Sequence, residues 1–177
     1  MYASRPDKLS HGQTILYEID MFRFVAGRLL IGKLSEEETW TFIEDFLLHY
    51  RNLIDFLGHD DPRRTDLHIS EPDFLDGSQP KDPTILRKLN ASGTRLWEDK
   101  DTGSDVIAKY LHHCTMKRTE SKSWPVGTMN DNLEALLSEL EPLLVHVARP
   151  WRTHPAVRFL GPASASTASG PKGYTSL

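Results

Sequence analysis

One cysteine in 177 residues, Cys114, excludes an intramolecular disulfide. A chain without one fits a reducing cytoplasm, and the thiol itself reads as a small buried apolar group. No charge-free apolar run approaches the roughly 18 residues that a membrane span requires. The opening "MYASRPDKLSHGQ" lacks the apolar stretch of a signal peptide. Also missing are a phosphate-cradling P-loop, a G-x-G-x-x-G turn, a G-x-S-x-G elbow and a Cys-x-x-Cys pair. No cofactor is therefore expected. Excess basic charge is lacking too. The formal net charge is -4, which gives no support to a broad nucleic-acid footprint. These absences describe a soluble, intracellular protein with no membrane association.

What is present is helical periodicity. Hydrophobic residues make up 38% and charged residues 26% of the chain, the balance of one ordinary globular domain. In "QTILYEIDMFRFVAGRLLIGK", residues 13–33, Ile15, Ile19, Phe22, Ala26 and Leu29 recur at helical spacing. Gly27 in this helix would let a neighbour approach closely. Ser35 with Glu38 three residues on forms a capping box, and three glutamates suit the start of a second helix that Gly58 ends. The short link between them makes the two helices antiparallel neighbours.

Residues 59–81 are rich in Asp, Pro and Gly and read as a long loop. Its Leu67, Ile69, Phe74 and Leu75 are expected to pack along the bundle. Asp82 and Pro83 start a short helix, "DPTILRKLN", followed by a polar turn. Ser104 caps a third substantial helix running to Arg118. The last helix spans about 128–148 on a leucine stripe, and Pro142 should kink it. Trp124 is expected to anchor the loop before it. From 160 to 177 the chain has almost nothing to bury and reads as a disordered tail. The expectation is all-α: an arm over 1–12, then an up-down bundle over 13–159 with four main helices and one short one.

The stretch "EDFLLHYRNLIDFL", residues 44–57, carries the chemistry. On a wheel at 100° per residue, Ile43, Phe46, Leu47, Tyr50, Leu53, Ile54 and Leu57 share the core face. His49 borders one edge and Arg51 the other. Arg51 can pair with Asp55, and Asp45 with His49, each one turn apart. Asn52 points away from the core, toward solvent on a lone helix. A second stretch, "IAKYLHHCTMKR" at 107–118, places His113, Thr115 and Arg118 in a polar cluster near a helix end. Such residues can simply snorkel, salt-bridge or favour a helix dipole. The helix around His49 is nonetheless apolar on more than one side, so polar groups held there need partners.

Together these stretches resemble a group of bacterial all-helical proteins without an assigned activity, whose pattern is "ESFLxHxRNLxDFL", then "INKxLAHLTxxR" and a Trp, here Trp124. The resemblance covers roughly residues 13–147. It implies that Glu44, His49, Arg51, Asn52, Asp55, His113, Thr115 and Arg118 are the shared polar positions. More loosely, the chain resembles the HEPN superfamily of small helical bundles, some of which cut RNA. Active members carry an Arg and a His with four to six residues between them, the first of which is often polar. "RN" at 51 and 52 fits the start, but the next histidine, His59, is one residue too far. Arg5 to His11, Arg63 to His68 and Arg149 to His154 satisfy the spacing literally, at a number close to the roughly one or two expected by chance.

Three functions follow. The first is a non-enzymatic interaction or structural module, with a buried polar network fixing the bundle's register and a protein partner or a second copy as ligand. The second is a HEPN-like RNA-binding or RNA-cleaving protein. His49 or His113 would be the general base and Arg51 would stabilise the phosphorane. The third is a metal-binding bundle, although no H-x-x-x-H or E-x-x-H pair supplies its ligands.

Overall fold

The computed structural model describes residues 5–59, 68–69, 82–111, 122–144 and 147, with side chains from residue 11 onward. The described chain is all-α. Five helices follow in order: α1 (Arg5–Ile31), α2 (Glu36–Gly58), α3 (Pro83–Trp97), α4 (Ser104–Leu111) and α5 (Val126–Leu140). A 3-10 turn, Glu141–Leu144, closes the last of them. No strand occurs among the described residues.

α1 starts at Arg5 and takes in most of the expected arm. Pro6 sits in its first turn, where backbone N–H groups have no helical partner to lose. Gly32, at φ 69°, turns the chain into α2. There Ser35 accepts from the Glu38 backbone N–H and Glu38 accepts from that of Ser35, as the sequence predicts. α1 and α2 run antiparallel: Phe24 meets Phe42, Phe22 meets Phe46 and Tyr50, and Tyr17 meets His49.

α3 differs from expectation. It does not stop at Asn90 but runs for 15 residues, through "ASGT" to Trp97. The physical reason lies in Gly93, which is a packing position and not a breaker. A Cβ there would stand 2.5 Å from the Leu57 side chain, and one on Gly58 would stand 2.5 Å from the Gly93 backbone. The two helices cross with glycine against glycine. At Gly27, by contrast, an added Cβ would find nothing within 4 Å among the described residues, so none of them approaches there, contrary to the sequence expectation.

The close crossing also satisfies the end of α2. Its last carbonyls have no helical donors. Asn90 Nδ2 donates to Leu57 O at 2.9 Å, and Thr94 Oγ1 shares its proton between Asn90 O at 2.9 Å and Gly58 O at 3.2 Å. From the long loop, Ile69 N donates to Phe56 O at 2.9 Å, and its side chain is fully buried. Leu67, Phe74 and Leu75 lie outside the described residues.

α5 buries Met129, Leu133, Leu137 and Leu140. Its α-helix ends one residue before Glu141, and the chain tightens to a 3-10 turn around Pro142, whose missing N–H cannot continue the ladder. Trp124 is buried and packs edge-on to Tyr110. Arg23 fastens α5 to α1 by a two-pronged pair with Glu134, at 2.7 and 2.8 Å, and a third contact to Glu141 at 2.8 Å. These contacts push the guanidinium pKa up, against the effect of burial. α2 is the central element, touching α1, α3 and α4. No described helix is long and apolar enough to cross a membrane.

Candidate functional site

The four polar residues of α2 do not gather in one place. They divide between its two edges, as the wheel places His49 and Arg51, and each pair is held by different helices.

On the α1 side, His49 is only 6% exposed. Its Nδ1 lies 2.7 Å from Glu18 Oε2, so the ring donates from Nδ1 to a carboxylate that can only accept. Asn52 Nδ2 donates to the same oxygen at 3.1 Å. Tyr17 stands edge-on to the His49 ring, with centroids 6.1 Å apart. Burial raises the Tyr17 pKa, and the nearby charges of Glu18 and Asp45 raise it further. Two sequence expectations are corrected here. The partner of His49 is Glu18 from α1 and not Asp45 one turn away. Asn52 faces α1 and not solvent, because the neighbouring helix supplies an acceptor that a lone helix lacks.

On the other side, Arg51 and Asp55 form the expected pair, with Nε 3.6 Å from Oδ2. The stronger contacts come from elsewhere. Ser104 Oγ donates to Asp55 Oδ1 at 2.6 Å and accepts from Arg51 Nε at 3.1 Å. Trp97 Nε1 donates to Asp55 Oδ1 at 2.8 Å. The Trp97 ring then lies against His59, with centroids 4.6 Å apart. Asp55 thus joins α2, the end of α3 and the start of α4 through one carboxylate oxygen.

A tight turn delivers Ser104 to this place. Asp99 Oδ1 accepts from the backbone N–H groups of Asp101 and Thr102, at 2.9 and 2.7 Å, and from the Thr102 hydroxyl at 2.8 Å. Burial opposes the Asp99 charge, but these donors and nearby Lys122 more than offset it and hold its pKa below the usual carboxylate value. Gly103 follows where a Cβ would collide with the carbonyls of Asp99 and Trp97. Tyr50 reaches the same turn. Burial pushes its pKa up to about 12, with the Thr102 hydrogen bond opposing and Asp99 adding.

Glu44 lies half-buried on the outer side of α2, one turn before Leu48. His113, Thr115 and Arg118 lie outside the described residues. Among the described residues no group of three or more His, Cys, Asp or Glu side chains could hold a metal ion.

Sequence reasoning missed Glu18 and Trp97, and gave Ser104 a local cap in place of a bridging role. Glu18 does leave a trace. It stands seven residues before Val25 and four before Phe22, both fully buried, so an acid interrupts an apolar row. Trp97 and Ser104 leave none, since only the packing of α3 on α2 brings Trp97 to Asp55 and only the 98–103 turn brings Ser104 there.

Compared with protein families, with curated proteins and with solved structures, the chain matches none.

Proposed function

We propose that this protein is a non-enzymatic helical interaction module, and that the polar residues of α2 set the register of its helices. The observation that carries this reading is the division of those residues between two edges. His49 and Asn52 are tied to Glu18, while Arg51 and Asp55 are tied to Ser104 and Trp97. A general base and a cation that stabilises a phosphorane must reach the same substrate atoms, each within about 3 Å. His49 and Arg51 are about 160° apart around α2, at 100° per residue. Each is engaged where a substrate would have to compete. Placement in a reducing cytoplasm rests on the single cysteine.

The HEPN-like alternative would need His113 and Arg118 to join Arg51 on one side. The test is a ribonuclease assay on the purified chain beside Arg51→Ala and His113→Ala, with thermal unfolding followed by circular dichroism. The expected result is no cleavage by any of them and a midpoint lowered by several degrees in Arg51→Ala. Cleavage by the wild type that disappears in both folded variants would replace the module with a nucleolytic site.

A further inference from the structure

The turn that delivers Ser104 is held from outside as well as from within. α4 packs on α2 and α3, whereas α5 packs on α1 and α3. Lys122 and Trp124, on the chain entering α5, bridge the two sides. The Trp124 ring packs edge-on to Tyr110 of α4, with centroids 5.3 Å apart. Lys122 Nζ donates to the Asp101 carbonyl at 2.8 Å and stands 4.2 Å from the centroid of the Trp124 ring.

Both Lys122 contacts draw on the charge of its ammonium. A hydrogen bond from an ionised donor is roughly twice as strong as one between neutral groups. Attraction to the indole face comes from the ring quadrupole acting on a cation. Lys122 is half-buried, and burial lowers its pKa, with the charges of Asp101 and Asp99 opposing. Those two carboxylates belong to the turn itself, so the turn is drawn to Lys122 by a carbonyl and by its negative charge. Asp99 shapes the turn from within, but its hydrogen bonds reach only Asp101 and Thr102 and tie the turn to no other element. What the turn carries is Ser104, whose hydroxyl joins Arg51 to Asp55.

We propose that Lys122 is a charge latch on this turn: its ammonium holds the turn against Trp124, and neutralising it releases the turn and loosens Ser104 from Asp55. Nε-acetylation is a change of this kind, since it removes the charge and the cation–π partner while leaving the stem in place. The inference stands on the geometry of the turn and not on the module proposed above, so cleavage of RNA by the wild type would leave it intact.

The test is amide hydrogen exchange of the full chain followed by NMR. Wild type is compared with Lys122→Met, with Lys122→Arg and with a chain acetylated at Lys122 Nζ. The Asp101, Thr102 and Gly103 amides, which donate to Asp99, report on the turn. Lys122→Met and the acetylated chain should speed their exchange by about tenfold or more, the loss of one hydrogen bond from a charged group. The Trp97 indole N–H resonance should move as well, because it shares its Asp55 acceptor with Ser104. Amides of Phe22 and Phe46, in the core of α1 and α2, should keep their wild-type rates. Lys122→Arg restores a cation and a donor and should stay close to wild type. Turn amides unchanged in both neutral forms would overturn the latch. An arginine variant as fast as the methionine one would show that charge is not what holds the turn. Equal acceleration at Phe22 and Phe46 would mean general destabilisation and would overturn it too.

Discussion

Glu18 lies 2.7 Å from His49 and holds it from a different helix, with the same oxygen also accepting from Asn52 at 3.1 Å. One carboxylate oxygen on α1 thus serves two donors on α2, one turn apart. The site is largely shielded, with side chains only 8% and 18% exposed for His49 and Glu18. Removing the acceptor strands both donors in a place water reaches poorly. Glu18→Ala should therefore cost about 2 kcal/mol, within the range for leaving buried polar groups unpaired. Glu18→Gln keeps an acceptor oxygen and should cost less than half as much. Urea denaturation of the three proteins checks this. Equal losses for Ala and Gln would mean that the charge matters and the hydrogen bonds do not.

Asp55 is the corresponding element on the other edge. It accepts from Trp97 and Ser104 and pairs with Arg51. Asp55→Ala should lower stability by about 2 kcal/mol, since three groups lose their acceptor at once. A double-mutant cycle with Ser104→Ala should give a coupling of about 1 kcal/mol, as expected for residues in one network. Asp55→Ala should also alter the fluorescence of Trp97, because its indole N–H loses its acceptor. A zero coupling energy would show that Ser104 acts only as a helix start.

Much of the fold can be read in the sequence because it is local. The capping box at Ser35, the core face of α2 and the break around Pro142 all follow from spacing within a few residues. The edges of α2 are legible in part: the wheel separates His49 from Arg51, and the Arg51–Asp55 pair forms as spacing suggests. What occupies the space opposite those edges is not local. Asn52 reads as solvated until α1 supplies Glu18. Gly93 reads as part of a turn until Leu57 and Gly58 are seen against it. Both misreadings come from treating a helix as if it stood alone.

Tyr50 makes stability depend on alkaline pH. It is 1% exposed, and burial pushes its pKa up to about 12 from the ordinary tyrosine value of 10.0. Above pH 10 the unfolded chain loses the phenolic proton while the folded chain retains it. The folded state then binds more protons, so stability falls as pH rises. The contribution is complete below pH 10 and lost progressively up to about 12. A rise of that size corresponds to on the order of 2–3 kcal/mol. Denaturation between pH 9 and 12 should show this slope in the wild type and a shallower one in Tyr50→Phe. Identical slopes would place the ionising group elsewhere.

Gly27 and Gly93 should respond to alanine with opposite signs. Both lie inside helices, where alanine is preferred to glycine by about 1 kcal/mol. At Gly27 the new methyl meets nothing within 4 Å among the described residues, so the preference acts unopposed and Gly27→Ala should stabilise by about 0.5–1 kcal/mol. At Gly93 the methyl would stand 2.5 Å from Leu57 Cβ and 2.7 Å from its backbone carbon. Neither can yield as a flexible side-chain end would, so α2 and α3 must separate. That separation also stretches the Asn90 and Thr94 hydrogen bonds to the end of α2. Gly93→Ala should therefore destabilise by about 2 kcal/mol, the overpacking cost exceeding the helical gain. Thermal unfolding of both variants beside the wild type decides the matter. A stabilised Gly93→Ala would mean that the two helices do not cross with glycine against glycine, and the capping of α2 by α3 would fall with that crossing.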